Sequence, residues 1–139
     1  MSLLRLAPAW LLALVMIAAQ PATAEDPGTS IRTVIQDQLS AFQDNDVATA
    51  FGFAAPSIQQ KFGSPEDFGQ MVKQGYPMVW RPRSHQMGRL LETAAGLVQL
   101  VVFEDGNGRL YEAGYLMEQI DGAWRIAGVH LRAMPGAGA

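Results

Sequence analysis

The stretch that decides the fold is GYPMVWRPRSHQM, residues 75–87. Before it, apolar residues recur every three or four positions. After it, they alternate. Gly75 is placed to end a helix in the left-handed region. Pro77 and Pro82 hold an extended turn that no helix can continue. Tyr76, Met78, Val79 and Trp80 are spaced to lay apolar area over the end of a core, and Arg81 and Arg83 alternate outward. His85 begins the sheet. The segment reads as the crossover from a helical half to a sheet half. It has a second possible role as a pocket lip, through Tyr76 and Trp80.

Upstream, three helices are expected. Ile31, Val34, Ile35, Gln38, Leu39 and Phe42 form one stripe of a helix over 30–43, capped by Thr29 or Ser30. Arg32, Gln36, Asp37, Ser40 and Gln43 form its wet face. Asp44-Asn45-Asp46 breaks it, and Asp46 can cap a short apolar helix, VATAFGFA, that ends before Pro56. Ser64-Pro65-Glu66-Asp67 starts the third helix: a cap, a proline at the first helical position and two acids at the positive end of the dipole. Phe68, Met71 and Val72 are its buried stripe.

Downstream, four strands are expected: Ser84 to Glu92, Gly96 to Glu104, Arg109 to Ile120 and Ala123 to Arg132. Asp105-Gly106-Asn107-Gly108 and Asp121-Gly122 are hairpin turns. Helices followed by a meander define an α+β domain, with three N-terminal helices on a curved four-stranded antiparallel sheet. Simple alternation puts Trp124, Ile126, Gly128, His130 and Arg132 on one side of the last strand. Neither sheet face is purely polar, so helices should cover one, with a pocket or partner subunit on the other. A bulge in the long strand would shift these assignments by one residue.

The chain has 139 residues, and its first 24 have the parts of a secretory leader. Arg5 supplies the positive start, Leu11 to Ala19 the apolar run, and Ala22-Thr23-Ala24 the small residues before a cut after Ala24. The run is too short to span a bilayer, which takes about 20 residues. The expectation is therefore a periplasmic or secreted protein with no membrane insertion after cleavage. Residues 25–29 form a polar lead-in, 30–133 a single domain and 134–139 a disordered tail. There is no cysteine, which excludes thiol catalysis, disulfide exchange and Cys-based metal sites. The formal net charge is −3 and becomes more negative once Arg5 is removed. With no basic cluster beyond Arg81 and Arg83, no nucleic-acid partner is expected.

Few residues suggest chemistry. His130 could pair with Glu112 across adjacent strands and act near neutral pH, with Tyr115 as a further catalytic candidate. His130 can equally be a satisfied residue near a sheet end. His85 suits a partly exposed strand start. No HxH or HExxH spacing exists, so no metal is expected, and nothing implies a cofactor. No GxSxG elbow is present, and the serines sit at turns and caps. Tyr111 and Tyr115 share one side of a strand. With Tyr76, Trp80 and Trp124 they could line an apolar pocket, since these side chains combine area with a polar tip. They could equally be ordinary packing.

The runs AFQDNDVATAFGFAAP, KFGSPEDFGQMV, GYP and GAWRIAGVHL together resemble a family of small exported bacterial proteins, DUF4864. The resemblance covers nearly all of residues 30–133 and implies no particular substrate. More loosely, AFQDNDVATAF and DGAWRIAGV are similar to common features of the nuclear-transport-factor-2-like superfamily. That resemblance implies a cone-shaped α+β fold, often with a pocket between helices and a curved sheet. Its members include isomerases, dehydratases and noncatalytic binding or dimerising domains, so fold does not choose among them. Three functions are therefore expected in order: a noncatalytic exported domain binding a small apolar ligand or protein partner, a cofactor-free isomerase- or dehydratase-like enzyme using a pocket His with Tyr or Glu, and a homodimerisation domain.

Overall fold

A computed structural model describes Ala18 and residues 26–136. The expected leader, its cleavage after Ala24 and the last three residues of the tail lie outside the described residues. Among these residues there are five helices: α1 (Pro27–Gln43), α2 (Val47–Gly52), α3 (Pro56–Phe62), α4 (Pro65–Gly75) and α5 (Pro77–Trp80). Four strands follow: β1 (Ser84–Thr93), β2 (Gly96–Glu104), β3 (Leu110–Ile120) and β4 (Ala123–Ala133). They form one antiparallel sheet in the order β1-β2-β3-β4. The protein is α+β, with five helices rather than three.

Prolines account for the difference. Pro27, Pro56 and Pro77 each open a helix, where the missing N–H is not needed and the fixed φ suits the first turn. Thus α1 starts after Asp26, ahead of Thr29 and Ser30. PSIQQKF is a helix of its own, ended by Gly63 at φ 77°. The PMVW turn is helical, not extended. Gly75 does not take a left-handed conformation; Tyr76, at φ −134°, ends α4. The two side-chain caps fall where the sequence places them. Asp46 Oδ1 accepts from Thr49 N at 3.1 Å, and Ser64 Oγ accepts from Asp67 N at 3.1 Å. Thr49 Oγ1 also donates to Asp46 Oδ2, and these bonds hold the Asp46 carboxyl below its usual pKa.

The helices cover one sheet face. Val101, Phe103, Ala113, Tyr115, Met117 and Ile126 meet Ile31, Ile35, Leu39, Phe42, Phe68, Val72 and Val79 in one core. Gln38, buried within the apolar stripe of α1, donates to Ala50 O at 3.1 Å and so ties α1 to α2. Helices α2 and α4 approach closely because position 69 has no side chain. A Cβ there would lie 2.5 Å from Val47 Cγ1. Gly69→Ala is therefore expected to destabilise the protein by about 1–3 kcal/mol in urea unfolding, despite the better helix propensity of alanine.

Two bulges break the simple alternation. In β4, Gly128 pairs with Leu116 and Ile126 with Met117, which leaves Ala127 without a partner. The outer edge of β4 is occupied at the same point: Ile126 N donates to Phe53 O and Ala55 N to Ile126 O, both at 2.8 Å. The extra residue turns Trp124 and Ile126 onto the covered face with Val129 and Leu131. His130 and Arg132 stay on the open face, so the expected grouping of these four is corrected. In β1, Gly88 and Arg89 oppose the single residue Leu100. The buried Gln99 amide fills the irregularity, donating to Gly88 O at 2.8 Å and Leu100 O at 2.9 Å. At the chain's other end Met134 N donates to Leu110 O at 2.9 Å, one residue beyond the expected end of the domain.

Candidate functional site: an apolar cavity between helices and sheet

Between the helical layer and the sheet lies a cavity of about 480 Å³. Its volume falls within the ~300–1,000 Å³ usual for small-molecule sites. Helix α1 contributes Phe42, α4 contributes Phe68, Met71 and Val72, and β4 contributes Ile126 to Val129 through the bulge. Helix α3, unexpected from the sequence, supplies Ile58, Lys61 and Phe62. Among the described residues, Lys61 is the single charged one of this wall, and its Nζ lies 5.5 Å from the centre of the Phe62 ring. Among the described residues, no carboxylate or imidazole borders the space.

Tyr115 forms part of the sheet side of the wall. It is fully buried, beside Phe103, and its hydroxyl has no hydrogen-bond partner among the described residues. Burial pushes the phenol pKa well above its ordinary value, so the group remains a protonated donor at neutral pH. A buried hydroxyl without a partner costs about 1–3 kcal/mol. Among the described residues, the other buried side-chain atom without a partner is Oε1 of Gln99, on the residue directly opposite Tyr115 in β2.

The crossover segment also reaches the cavity. Tyr76 and Val79 line it, while Trp80 does not. Trp80 packs on Phe42 at 5.5 Å and lies under the Arg81 guanidinium, 4.9 Å from the ring centre. Arg81 does not alternate outward as an idle charge. It donates to Phe42 O at the end of α1, to Trp80 O at 2.9 Å and to Asn45 Oδ1 at 2.7 Å. Arg83 only meets Glu104, at 3.5 Å, with most of its side chain exposed.

Of the five expected ligand-binding residues, Tyr76 and Tyr115 line the cavity. Tyr111 lies at one end of the covered face, opposite Phe103 and Ala133, and Trp124 at the other end, opposite Gln119. The three expected catalytic residues do not meet. Tyr115 is on the covered face; Glu112 and His130 are on the open one. Glu112 accepts from Arg132 at 2.8 and 3.0 Å, and His130 is exposed opposite Gly114. Other wall residues, such as Lys61, Phe62 and Met71, were not expected at a site; they lie in the run KFGSPEDFGQMV, to which the resemblance assigns no chemistry. For Met71 the one physical signal was the apolar stripe Phe68-Met71-Val72, which also describes a filled core.

An α+β domain with helices preceding a four-stranded meander, and an apolar cavity between the two layers, is the class this geometry defines. The sequence model of the family described as Domain of unknown function (DUF4864) matches residues 24–139, and the chain belongs to that family. Comparison with curated proteins finds no match. Among the described residues, no group of three or more His, Asp or Glu is placed to hold a metal ion, and no helix is long and apolar enough to cross a membrane.

Proposed function

We propose that the protein is a noncatalytic exported domain that binds a small, mainly apolar molecule carrying a hydrogen-bond acceptor. The observation that carries this reading is the cavity itself: apolar walls around a buried Tyr115 donor that the protein leaves unpaired. An acceptor oxygen reaching that hydroxyl would turn a desolvation penalty into a bond. A wall without carboxylate or imidazole favours binding over proton transfer. The same reading agrees with the looser nuclear-transport-factor-2-like resemblance, in which helices and a curved sheet enclose a pocket. The bulges in β1 and β4 are the kind of feature that bends a sheet.

The test uses N-phenylnaphthylamine, a neutral fluorescent probe, on the purified chain from Glu25 onward. Saturable one-to-one binding, displaced by methyl decanoate, is expected. Met71→Trp should fill the cavity and abolish the signal while far-UV circular dichroism stays unchanged. Binding that survives Met71→Trp would place the probe elsewhere and sink the reading.

A second reading, homodimerisation, is favoured by the open sheet face. Val98, Leu100, Val102 and Leu116 are only half-buried there, and Leu110 is 38 % exposed. A stable dimer buries about 800 Å² on each partner. Light scattering after size exclusion should give twice the chain mass, reverting to the monomer in Leu100→Glu. A monomeric wild type at high concentration would dismiss this reading.

A further inference from the structure

Resting on the ligand-binding reading, the geometry points to a ligand class more specific than a neutral hydrocarbon: a medium-chain amphipathic anion, its chain among the phenylalanines and its carboxylate at Lys61. Three observations carry this. The wall contains one charged side chain, and it is a cation. Among the described residues Lys61 makes neither an ion pair nor a side-chain hydrogen bond, although acids outnumber bases in the sequence. Its Nζ lies near the ring of Phe62, which also borders the cavity, so charge and apolar wall are contiguous.

The position of Lys61 fits the role of a mouth rather than a floor. It is exposed, in the last turn of α3, so its ammonium keeps water and costs nothing to leave charged. Tyr115, by contrast, is fully buried on the sheet side. The two polar groups therefore differ in depth. A carboxylate takes the cation at the rim, where both ions remain partly hydrated, and the chain fills the space beyond. A cationic amphiphile would meet Lys61 as a like charge. A neutral one would gain the apolar burial alone. The cavity volume of about 480 Å³ suits a chain of medium length and is too small for a two-chain lipid.

The experiment compares decanoate with methyl decanoate, which keeps the chain and both oxygens but loses the charge. Affinities are measured by displacement of N-phenylnaphthylamine and by calorimetry at neutral pH and low salt. Wild type is expected to prefer decanoate about fivefold, the size of a partly exposed ion pair. Added salt should shrink that preference. Lys61→Met should abolish it while leaving the ester's affinity unchanged, and Lys61→Glu should reverse it. Since Lys61 is exposed, these variants are expected to fold normally. Equal affinities for acid and ester in wild type would overturn the anion assignment and leave the cavity reading standing. A preference that persists in Lys61→Met would overturn the role of Lys61. Failure of both compounds and of the probe to bind would overturn the cavity reading and this inference together.

Discussion

Tyr115→Phe is expected to stabilise the empty protein and weaken its hold on ligands with an oxygen at the far end of the chain. The hydroxyl is buried and unpaired, and removing it relieves a penalty of about 1–3 kcal/mol while leaving the ring against Phe103 in place. Urea unfolding of the variant should therefore show a higher midpoint with an unchanged slope. Methyl 9-oxodecanoate, whose keto oxygen lies at the far end of the chain, should bind the variant about tenfold more weakly, the worth of one buried hydrogen bond, whereas methyl decanoate should bind it nearly as before. N-phenylnaphthylamine, which offers no oxygen, should bind nearly as before. The pH dependence has a definite sign. The folded phenol titrates above its ordinary value of 10.0, so stability does not vary with this group below that pH and falls as pH rises beyond it. Wild type should lose stability in that alkaline range more steeply than Tyr115→Phe. A variant less stable than wild type would mean that the hydroxyl has a partner in solution.

Arg81→Ala is expected to cost about 2–3 kcal/mol, whereas Arg83→Ala, two residues away, should fall within about 0.5 kcal/mol of wild type. Both side chains belong to the crossover segment, and their surroundings differ. Arg81 adds a charged donor to the Phe42 carbonyl at the end of α1, which also accepts from Asn45 N at 3.1 Å, and binds the side chain of Asn45, whose φ is 55°. It also covers the Trp80 ring. Its loss removes a charge-assisted bond from the Phe42 carbonyl, which keeps only the Asn45 N–H at 3.1 Å, and frees the turn between α1 and α2. Arg83 has 63 % of its side chain in solvent and a single long contact with Glu104. Chemical denaturation of the two variants side by side checks the contrast. Equal costs would show that the Arg81 contacts do not form in solution. Lys at position 81 should recover only part of the stability, since an ammonium cannot reach two acceptors and stack on the indole together.

How much was legible follows from the range of each interaction. Asp46 and Ser64 cap their helices through amides three residues away, so a short window of sequence contains both partners. The hairpin at residues 105–108 is equally local: Asp105 Oδ1 accepts from Asn107 N and Arg109 N, both at 2.9 Å. Helix α3 was missed because Pro56 carries two meanings. It ends the segment before it and starts the one after it, and only the second meaning produces PSIQQKF as a helix. The same ambiguity hid α5 behind Pro77.

The site was harder to read than the fold. Tyr76 and Tyr115 were singled out because aromatic residues with polar tips suit pockets, and both line the cavity. Trp80, Tyr111 and Trp124 were chosen by the same rule and pack elsewhere. Phe62, Met71 and Val72 look identical in sequence whether they face other side chains or empty space. What makes a wall is the absence of atoms across from it, and residue type does not encode that.

By itself the sequence determined the α+β class, the order of helices before a meander, the hairpins and the two side-chain caps at Asp46 and Ser64. Each rests on the preferences of a few consecutive residues or on a repeating apolar spacing. Tertiary structure alone decided which side Trp124 and Ile126 take, because Ala127 is left unpaired only when β4 meets both β3 and the segment at 53–55. Alternation along the strand already set Tyr115 opposite Glu112; the tertiary structure alone decided that the helices cover the Tyr115 face and that Glu112 and His130 share the open one. It also turned GYPMVWRPRSHQM from a row of conspicuous residues into a working junction. Tyr76 and Val79 border the cavity, and Arg81 locks the end of α1 through bonds that span 36 to 39 residues of chain.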